Sequence, residues 1–103
     1  MQRVVLDPKY VGTTQAEQFD FASLLGNGET ILTANTTAAV YAGTDPAPSA
    51  IIMGVSNWAG SVVSQTVTGG VAGVVYNLVC RVTTSFSQTL ELVGRLAVIL
   101  EAS

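Results

Sequence analysis

A strict alternation of apolar and other residues near the carboxyl end limits the fold more than any other feature of this chain. From residue 74 to 84 one parity holds Val74, Tyr76, Leu78, Cys80, Val82 and Thr84. After a short connection at 85–88, residues 90–100 repeat the pattern. Because side chains alternate between the two faces of a strand, this period of two predicts a long antiparallel hairpin. The matched faces also predict Arg81 directly across from Glu91 or diagonal to it.

The rest of the chain predicts shorter strands. They are expected at 15–21, 29–35, 38–42, 51–55 and 61–68, between turns rich in Gly or Pro at 26–28, 44–48 and 69–73. Fifteen valines and twelve threonines favour β-structure, and no ten-residue window has a capped helical period. We therefore predict an all-β fold, an immunoglobulin- or fibronectin-like sandwich of about seven strands. An extended N-terminal arm, 1–14, precedes a single sandwich domain, 15–103.

The composition of the chain excludes several classes of function. Only 11% of the 103 residues are charged, against about 25% in ordinary soluble domains, and the net charge is −3. Without a surplus of Lys and Arg, we expect neither a nucleic acid nor an anionic membrane as a partner. There is no His and one Cys, which removes a His-dependent triad, the usual zinc ligands and an internal disulfide. We expect no enzymatic activity, no cofactor and no metal ion.

Targeting and membrane signals are weak. The amino terminus has too short an apolar run for a secretory signal, and the apolar stretches 71–82 and 90–100 are interrupted by polar residues and shorter than the roughly 20 residues of a membrane span. We expect a soluble protein.

Most of the remaining polar residues suggest structure. Glu17 and Asp20 have opposite parity in a predicted strand, so we interpret both as solvated surface. Tyr76 follows a Gly-rich crossover at the start of a core strand, where a tyrosine corner would bond its hydroxyl to the loop backbone. Trp58 lies in a turn-rich segment, 56–60, where it either caps the end of the sandwich or anchors a partner.

The outer face of the hairpin is unusually apolar. Its candidate interface residues are Val75, Val79, Val93, Ala97 and Ile99, to which Trp58 is added as a separate anchor. Such a patch indicates a surface that something covers. Either a partner covers it, or the N-terminal residues 1–10 fold over it through Val4, Val5 and Leu6. If 89–100 is an edge strand, it also invites pairing with another chain.

Several motifs together resemble the small fibre-tail adaptor proteins of tailed bacteriophages. The resemblance covers most of the chain. Its two most specific blocks are the G-G-x-x-G-x-x-Y turn with the downstream V-T-T-S, and the F-D-F segment with the L-L-G-x-G-E-T-I segment that follows it. The motifs are Asp7-Pro8-Lys9, Gln18-Phe19-Asp20-Phe21-Ala22-Ser23-Leu24-Leu25, Gly28-Glu29-Thr30-Ile31, Gly69-Gly70-Val71-Ala72-Gly73-Val74-Val75-Tyr76 and Val82-Thr83-Thr84-Ser85. The Pro-rich middle, 36–58, departs from the pattern.

The resemblance implies a non-enzymatic virion protein with an immunoglobulin-like fold. It implies that the protein links fibres or spikes to the tail or neck, in several copies around a symmetric body, with other virion proteins as partners. It would lie in the virion after assembly in the host cytoplasm. Structural alternatives are a capsid decoration or head-fibre base domain and a head-completion protein. An alternative of another class is a small carbohydrate-binding module, for which Trp58 and three tyrosines on no evident common face are available.

Overall fold

The computed structural model describes residues 2–6 and 8–100, with the backbone alone for residues 2–5. Met1, Asp7 and residues 101–103 lie outside the described part, and with them the first residue of the Asp7-Pro8-Lys9 motif. Within it the chain forms eight strands and one turn of 3-10 helix. In chain order these are β1 (Gln2–Val5), β2 (Lys9–Tyr10), β3 (Thr14–Asp20), β4 (Ile31–Ala42), the 3-10 turn (Pro48–Ile51), β5 (Ile52–Ala59), β6 (Val62–Thr68), β7 (Val75–Thr84) and β8 (Thr89–Ile99).

Two sheets make a sandwich, which confirms the all-β prediction. The larger sheet has the order β1-β8-β7-β4, and the two-residue β2 also pairs with β8. The smaller sheet has the order β3-β6-β5. Among the described residues, no helix has the length and apolarity that crossing a membrane requires.

The predicted hairpin is present as β7 and β8. Tyr76, Leu78 and Cys80 are fully buried, as their shared parity predicted. Arg81 lies directly opposite Glu91 and forms an ion pair with it. The core between the sheets comprises Phe19, Phe21, Ile31, Ile51, Val63, Val67, Val74, Tyr76, Leu78, Cys80, Val82, Leu92, Leu96 and Val98.

The structure corrects two of the predicted strand boundaries. The segments 29–35 and 38–42 belong to one continuous strand, β4. The polar pair Thr36-Thr37 concealed this continuity, because Thr36 is buried and bonds inside the core. The strand predicted at 51–55 extends to Ala59, so Trp58 lies in a strand and not in a turn.

A chain of buried polar groups crosses the core where β5 bulges. The Thr36 hydroxyl contacts the Ser56 hydroxyl at 2.9 Å, and Ser56 donates to Oε1 of Gln65 at 2.7 Å. Nε2 of Gln65 donates to the carbonyls of Met53 and Gly54. These carbonyls fall in the register shift between β5 and β6, so the Gln65 amide replaces ladder bonds that the bulge removes.

The strand β8 is not at the edge of its sheet, so the condition under which 89–100 would invite pairing with another chain is not met. It pairs with β7 on one side and, in parallel, with β1 and β2 on the other. Leu6, which follows β1, packs against the core, and its Cδ1 and Cγ atoms occupy the space where a side chain on Gly94 would lie. The N-terminal segment therefore extends the sheet beside β8.

Candidate docking surface

Two side-chain networks at opposite ends of β7 account for most motifs of the resemblance. At the carboxyl end of β7, the carboxylate of Glu29 accepts hydrogen bonds from the hydroxyl of Thr84 and from the backbone N–H of Gly26. The backbone N–H of Ser85 donates to the carbonyl of Thr30, and its hydroxyl accepts from the N–H of Thr30. The G-E-T-I and V-T-T-S motifs thus hold each other.

The second network surrounds Tyr76 at the amino end of β7. The Tyr76 hydroxyl accepts a hydrogen bond from the N–H of Val71 at 2.9 Å and donates to Oδ2 of Asp45 at 2.6 Å. Burial, together with the hydrogen bond to Asp45, raises the pKa of Tyr76. The same bond lowers the pKa of Asp45, with help from the N–H of Ala47. The hydroxyl joins the Pro-containing loop to the Gly-rich loop.

Lys9 and Glu17 are buried, which sequence reasoning missed. Nζ of Lys9 donates to the carbonyls of Tyr10 and Gly69, and the whole residue is inaccessible to solvent. Burial lowers the pKa of Lys9, while the Glu17 carboxylate acts in the opposite direction. The interpretation of Glu17 as solvated surface was wrong, because Glu17 is only 5% exposed. Asp20 is exposed, as expected from its opposite parity.

The outer face of the larger sheet carries five of the six candidate interface residues. Val79 lies directly opposite Val93, and Val75 lies directly opposite Ala97. These four are half-buried, and Ile99 is 40% exposed. The row containing Asn77 and Arg95 separates the two apolar pairs. The predicted patch is therefore two apolar rows with a polar row between them.

That polar row has an unusual composition. The guanidinium of Arg95 lies 3.7 Å from the centre of the Tyr41 ring, which reaches over from β4. Nε of Arg95 and Oδ1 of Asn77, which faces it across the strands, are both buried without a hydrogen-bond partner among the described residues. Each such group costs about 1–3 kcal/mol when left unpaired. The polar row is therefore incompletely satisfied by the described residues of the chain itself.

A shallow depression lies beside the first apolar row. Its volume is about 150 Å³, and it is lined by Asn35, Thr37, Val79, Arg81 and Glu91. The Arg81–Glu91 ion pair forms its charged side, so the apolar floor at Val79 is bordered by two opposite charges that already satisfy each other. The depression offers room for a side chain from outside.

The described part of the N-terminal segment does not cover this face. β1 and β2 lie beside β8 in the plane of the sheet, and Leu6 turns inward to the core. The side chains of Val4 and Val5, which were expected to share in such a cover, lie outside the described part of the molecule. The prediction that Leu6 folds over the outer face is therefore wrong, because Leu6 packs against the core.

Trp58, the sixth candidate, lies on the smaller sheet. It is 40% exposed and lines an open groove of about 470 Å³ with Gln18, Asn57, Ala59, Val62 and Ser64. The structure does not bring Trp58 together with the five outer-face residues, which belong to the other sheet. The candidates form two separate surfaces.

Sequence reasoning missed the contribution of Arg95 and Tyr41 to the outer face. The position of Arg95 was readable, because it shares parity with Val93 and Ala97. That of Tyr41 was not, because the pairing of β4 with β7 shifts between Val40 and Ala42. A bulge of this kind leaves no mark in a pattern of period two.

The fold first defines the class of the protein, which is a small all-β sandwich whose loops are held by the two side-chain networks described above. Comparison with protein families then identifies it: the chain belongs to the family described as podophage GP4 fiber-tail adaptor protein gp77, whose model matches residues 9–96. It is thus a structural protein of the phage tail, as the resemblance predicted. No curated protein matches the chain.

Proposed function

We propose that this protein bridges two neighbours in the virion, docking the outer face of its larger sheet on one and the Trp58 groove on the other. An adaptor needs two binding surfaces, and these two belong to different sheets of the sandwich. Several copies around the tail add avidity to contacts that are individually modest. No bond is made or broken in this role.

One observation carries the proposal. The apolar pairs Val79–Val93 and Val75–Ala97 remain on an open face, although β8 has both of its edges occupied by the chain itself. Docking on this face therefore uses side chains, because the backbone of β8 is already paired on both sides by strands of the same chain. Burial of this apolar area provides the favourable free energy, at about 25 cal/mol for each Å² removed from water.

The double variant Val79→Lys with Val93→Lys tests this face. We expect the isolated chain to fold, since both positions point away from the core, and we expect its incorporation into particles to fall sharply. Particles made without the chain are mixed with each purified variant, and the bound chain is quantified after sedimentation.

A matched control adds the same two charges outside both proposed surfaces. Ser23 and Asn27 are exposed in the loop between β3 and β4. Ser23→Lys with Asn27→Lys should leave incorporation near the wild-type level. Normal incorporation of the Val79 and Val93 variant would refute the docking face.

The Trp58 groove distinguishes the adaptor from a carbohydrate-binding module. An aromatic ring beside the amides of Gln18 and Asn57 is also a composition that suits a sugar. As an adaptor surface, Trp58→Ala should reduce incorporation while a glycan array gives no signal. A clear array signal that Trp58→Ala abolishes, with incorporation unchanged, would favour the sugar-binding alternative.

Location within the virion distinguishes the adaptor from a capsid decoration or head-completion protein. We propose that the chain lies between fibre and tail. Density for a whole particle in which the sandwich contacts only capsid subunits, or only the neck, would overturn that assignment.

A further inference from the structure

We infer that the outer face binds a segment of its neighbour that presents a carboxylate, an Asp or Glu side chain, to Arg95, with an apolar side chain of that segment on the Val79–Val93 row. The inference rests on the proposed docking role of this face and specifies the chemistry of its partner.

The charges of the described residues single out Arg95. Of the basic side chains that the structure describes, Lys9 is buried against two carbonyls, and Arg81 is paired with Glu91. Arg95 has no ion pair within the described part of the chain, and its Nε has no acceptor. Among the described basic side chains on this face, Arg95 is therefore the one whose charge has no opposite partner, and such a guanidinium attracts an acidic group.

The geometry holds Arg95 ready for such a group. Cζ of Arg95 lies 3.7 Å from the centre of the Tyr41 ring, and this contact restricts the side chain, so less side-chain freedom is lost on binding. A planar guanidinium presents parallel N–H groups that match both oxygens of a carboxylate. The adjacent apolar row and the depression of about 150 Å³ beside Val79 accept the neighbouring side chain.

A second copy of this chain is a weaker fit. Glu91 is the acidic side chain on the same face, and it is already paired with Arg81. A face-to-face dimer would thus have to break that pair to satisfy Arg95. An acidic segment of a different protein requires no such exchange.

The first experiment measures binding of Arg95 variants to particles that lack this chain. Arg95→Gln should bind about tenfold more weakly, as the loss of one charge-assisted hydrogen bond predicts, and Arg95→Lys should fall between it and the wild type. The difference should shrink as salt is raised. Asn27→Asp is the control, because it changes the net charge by the same single unit at an exposed loop residue outside this face. Equal losses for Asn27→Asp and Arg95→Gln would overturn the inference in favour of general electrostatics.

The second experiment identifies the partner group directly. Arg95→Lys places an amine at this position, and a carbodiimide joins an amine to a carboxylate only when they are in contact. Mass spectrometry of treated particles should find the lysine at position 95 bonded to an Asp or Glu of another virion protein, in a product that wild-type particles lack. A product formed with the chain's own acids, with a second copy, or with none would overturn the inference.

The outcomes separate this inference from the proposed function. If Val79→Lys with Val93→Lys loses incorporation while Arg95→Gln binds like the wild type, the docking face stands and the acidic partner does not. If both variants bind normally, the docking face itself fails. Urea unfolding of each isolated variant shows that a loss of binding is not a loss of the fold.

Discussion

At the scale of single residues, this sandwich depends on a few polar groups that join loops to strands. Tyr76 illustrates this, since its hydroxyl accepts from Val71 in one loop and donates to Asp45 in another. Lys9 does the same for the carbonyl of Gly69. With one buried Cys and no disulfide among the described residues, such bonds and the apolar packing keep the loops in place.

Replacing Tyr76 by Phe should lower the free energy of unfolding by about 1 kcal/mol, because it leaves the backbone N–H of Val71 without its acceptor. The Asp45 carboxylate loses its donor as well. Urea denaturation monitored by circular dichroism measures the change. Tyr10→Phe is the control, since Tyr10 is 40% exposed and no hydrogen bond of its hydroxyl is present in the described structure. Equal midpoints for the two variants would contradict a structural role for the Tyr76 hydroxyl.

The stability of the wild-type chain should fall in acid partly through Asp45. The folded state lowers the pKa of Asp45 below its ordinary 3.8, so this contribution is complete above that value and is lost as the pH falls through the folded pKa. At alkaline pH the relevant group is Tyr76, whose pKa is raised in the folded state. Its contribution to stability is complete below pH 10.0 and is lost as the pH rises through the folded pKa.

Urea midpoints at pH 3 and pH 7 measure the acid effect. Asp45→Asn should lose less stability between these two pH values than the wild type. An identical loss in both chains would show that Asp45 does not contribute.

At the scale of elements, the N-terminal strand decides what the larger sheet exposes. β1 and β2 occupy the edge of β8, a strand of eleven residues that would otherwise offer its backbone to other chains. Leu6 and Gly94 fix this arrangement, because a Cβ on Gly94 would lie 2.6 Å from Cδ1 of Leu6. The absence of a side chain at position 94 makes room for the end of β1.

Gly94→Val should displace Leu6 and release β1 from β8. We expect faster hydrogen exchange of the β1 amides and a greater tendency to aggregate, since the edge of β8 becomes free. Gly12→Val is the matched control, because a Cβ on Gly12 would meet no atom within 4 Å and the backbone there has an ordinary conformation. Unchanged exchange of β1 in Gly94→Val would mean that backbone pairing alone holds the strand.

The sequence predicts those elements whose partners are near in the chain. The β7–β8 hairpin follows from period two, which left Arg81 either directly across from Glu91 or diagonal to it, and the structure has the direct pairing. The parallel pairing of β1 with β8 joins residues about 90 positions apart, and nothing local in 2–5 indicates it. The burial of Lys9 and Glu17 escaped prediction for a related reason, because charged residues are taken as surface unless a distant partner is known.

The candidate site was predicted in part. Parity alone brings Val75, Val79, Val93 and Ala97 to one face, because alternation is a local property. It does not show that Tyr41 reaches over β7 to Arg95, which depends on a bulge and on the pairing of three strands. The polar row that interrupts the apolar face therefore becomes visible only in three dimensions.

At the scale of the whole molecule, the residues that identify the family and those that we propose to dock belong to different parts. Phe19, Phe21, Glu29, Thr84 and Tyr76 are buried and hold the strands and loops together. Few residues of these motifs lie on the outer face of the larger sheet. The motifs of the resemblance thus lie mostly in the interior of the sandwich, whereas we propose that its surface selects the neighbour.

The buried thiol of Cys80 allows the docking face to be tested in the assembled particle. Burial raises the pKa of Cys80 to about 11, and the residue is inaccessible, so it should not react with a maleimide at neutral pH. Val93→Cys then reports on the outer face of the larger sheet, and Asn27→Cys reports on an exposed loop outside both proposed docking surfaces.

The most direct measurement is the rate of maleimide labelling at these two positions, first in the free chain and then in the particle. If the outer face docks on a neighbour, Val93→Cys should label readily when free and at least tenfold more slowly in the particle, while Asn27→Cys should keep most of its rate. A Val93→Cys chain that incorporates normally and labels as fast in the particle as in solution would contradict the docking face.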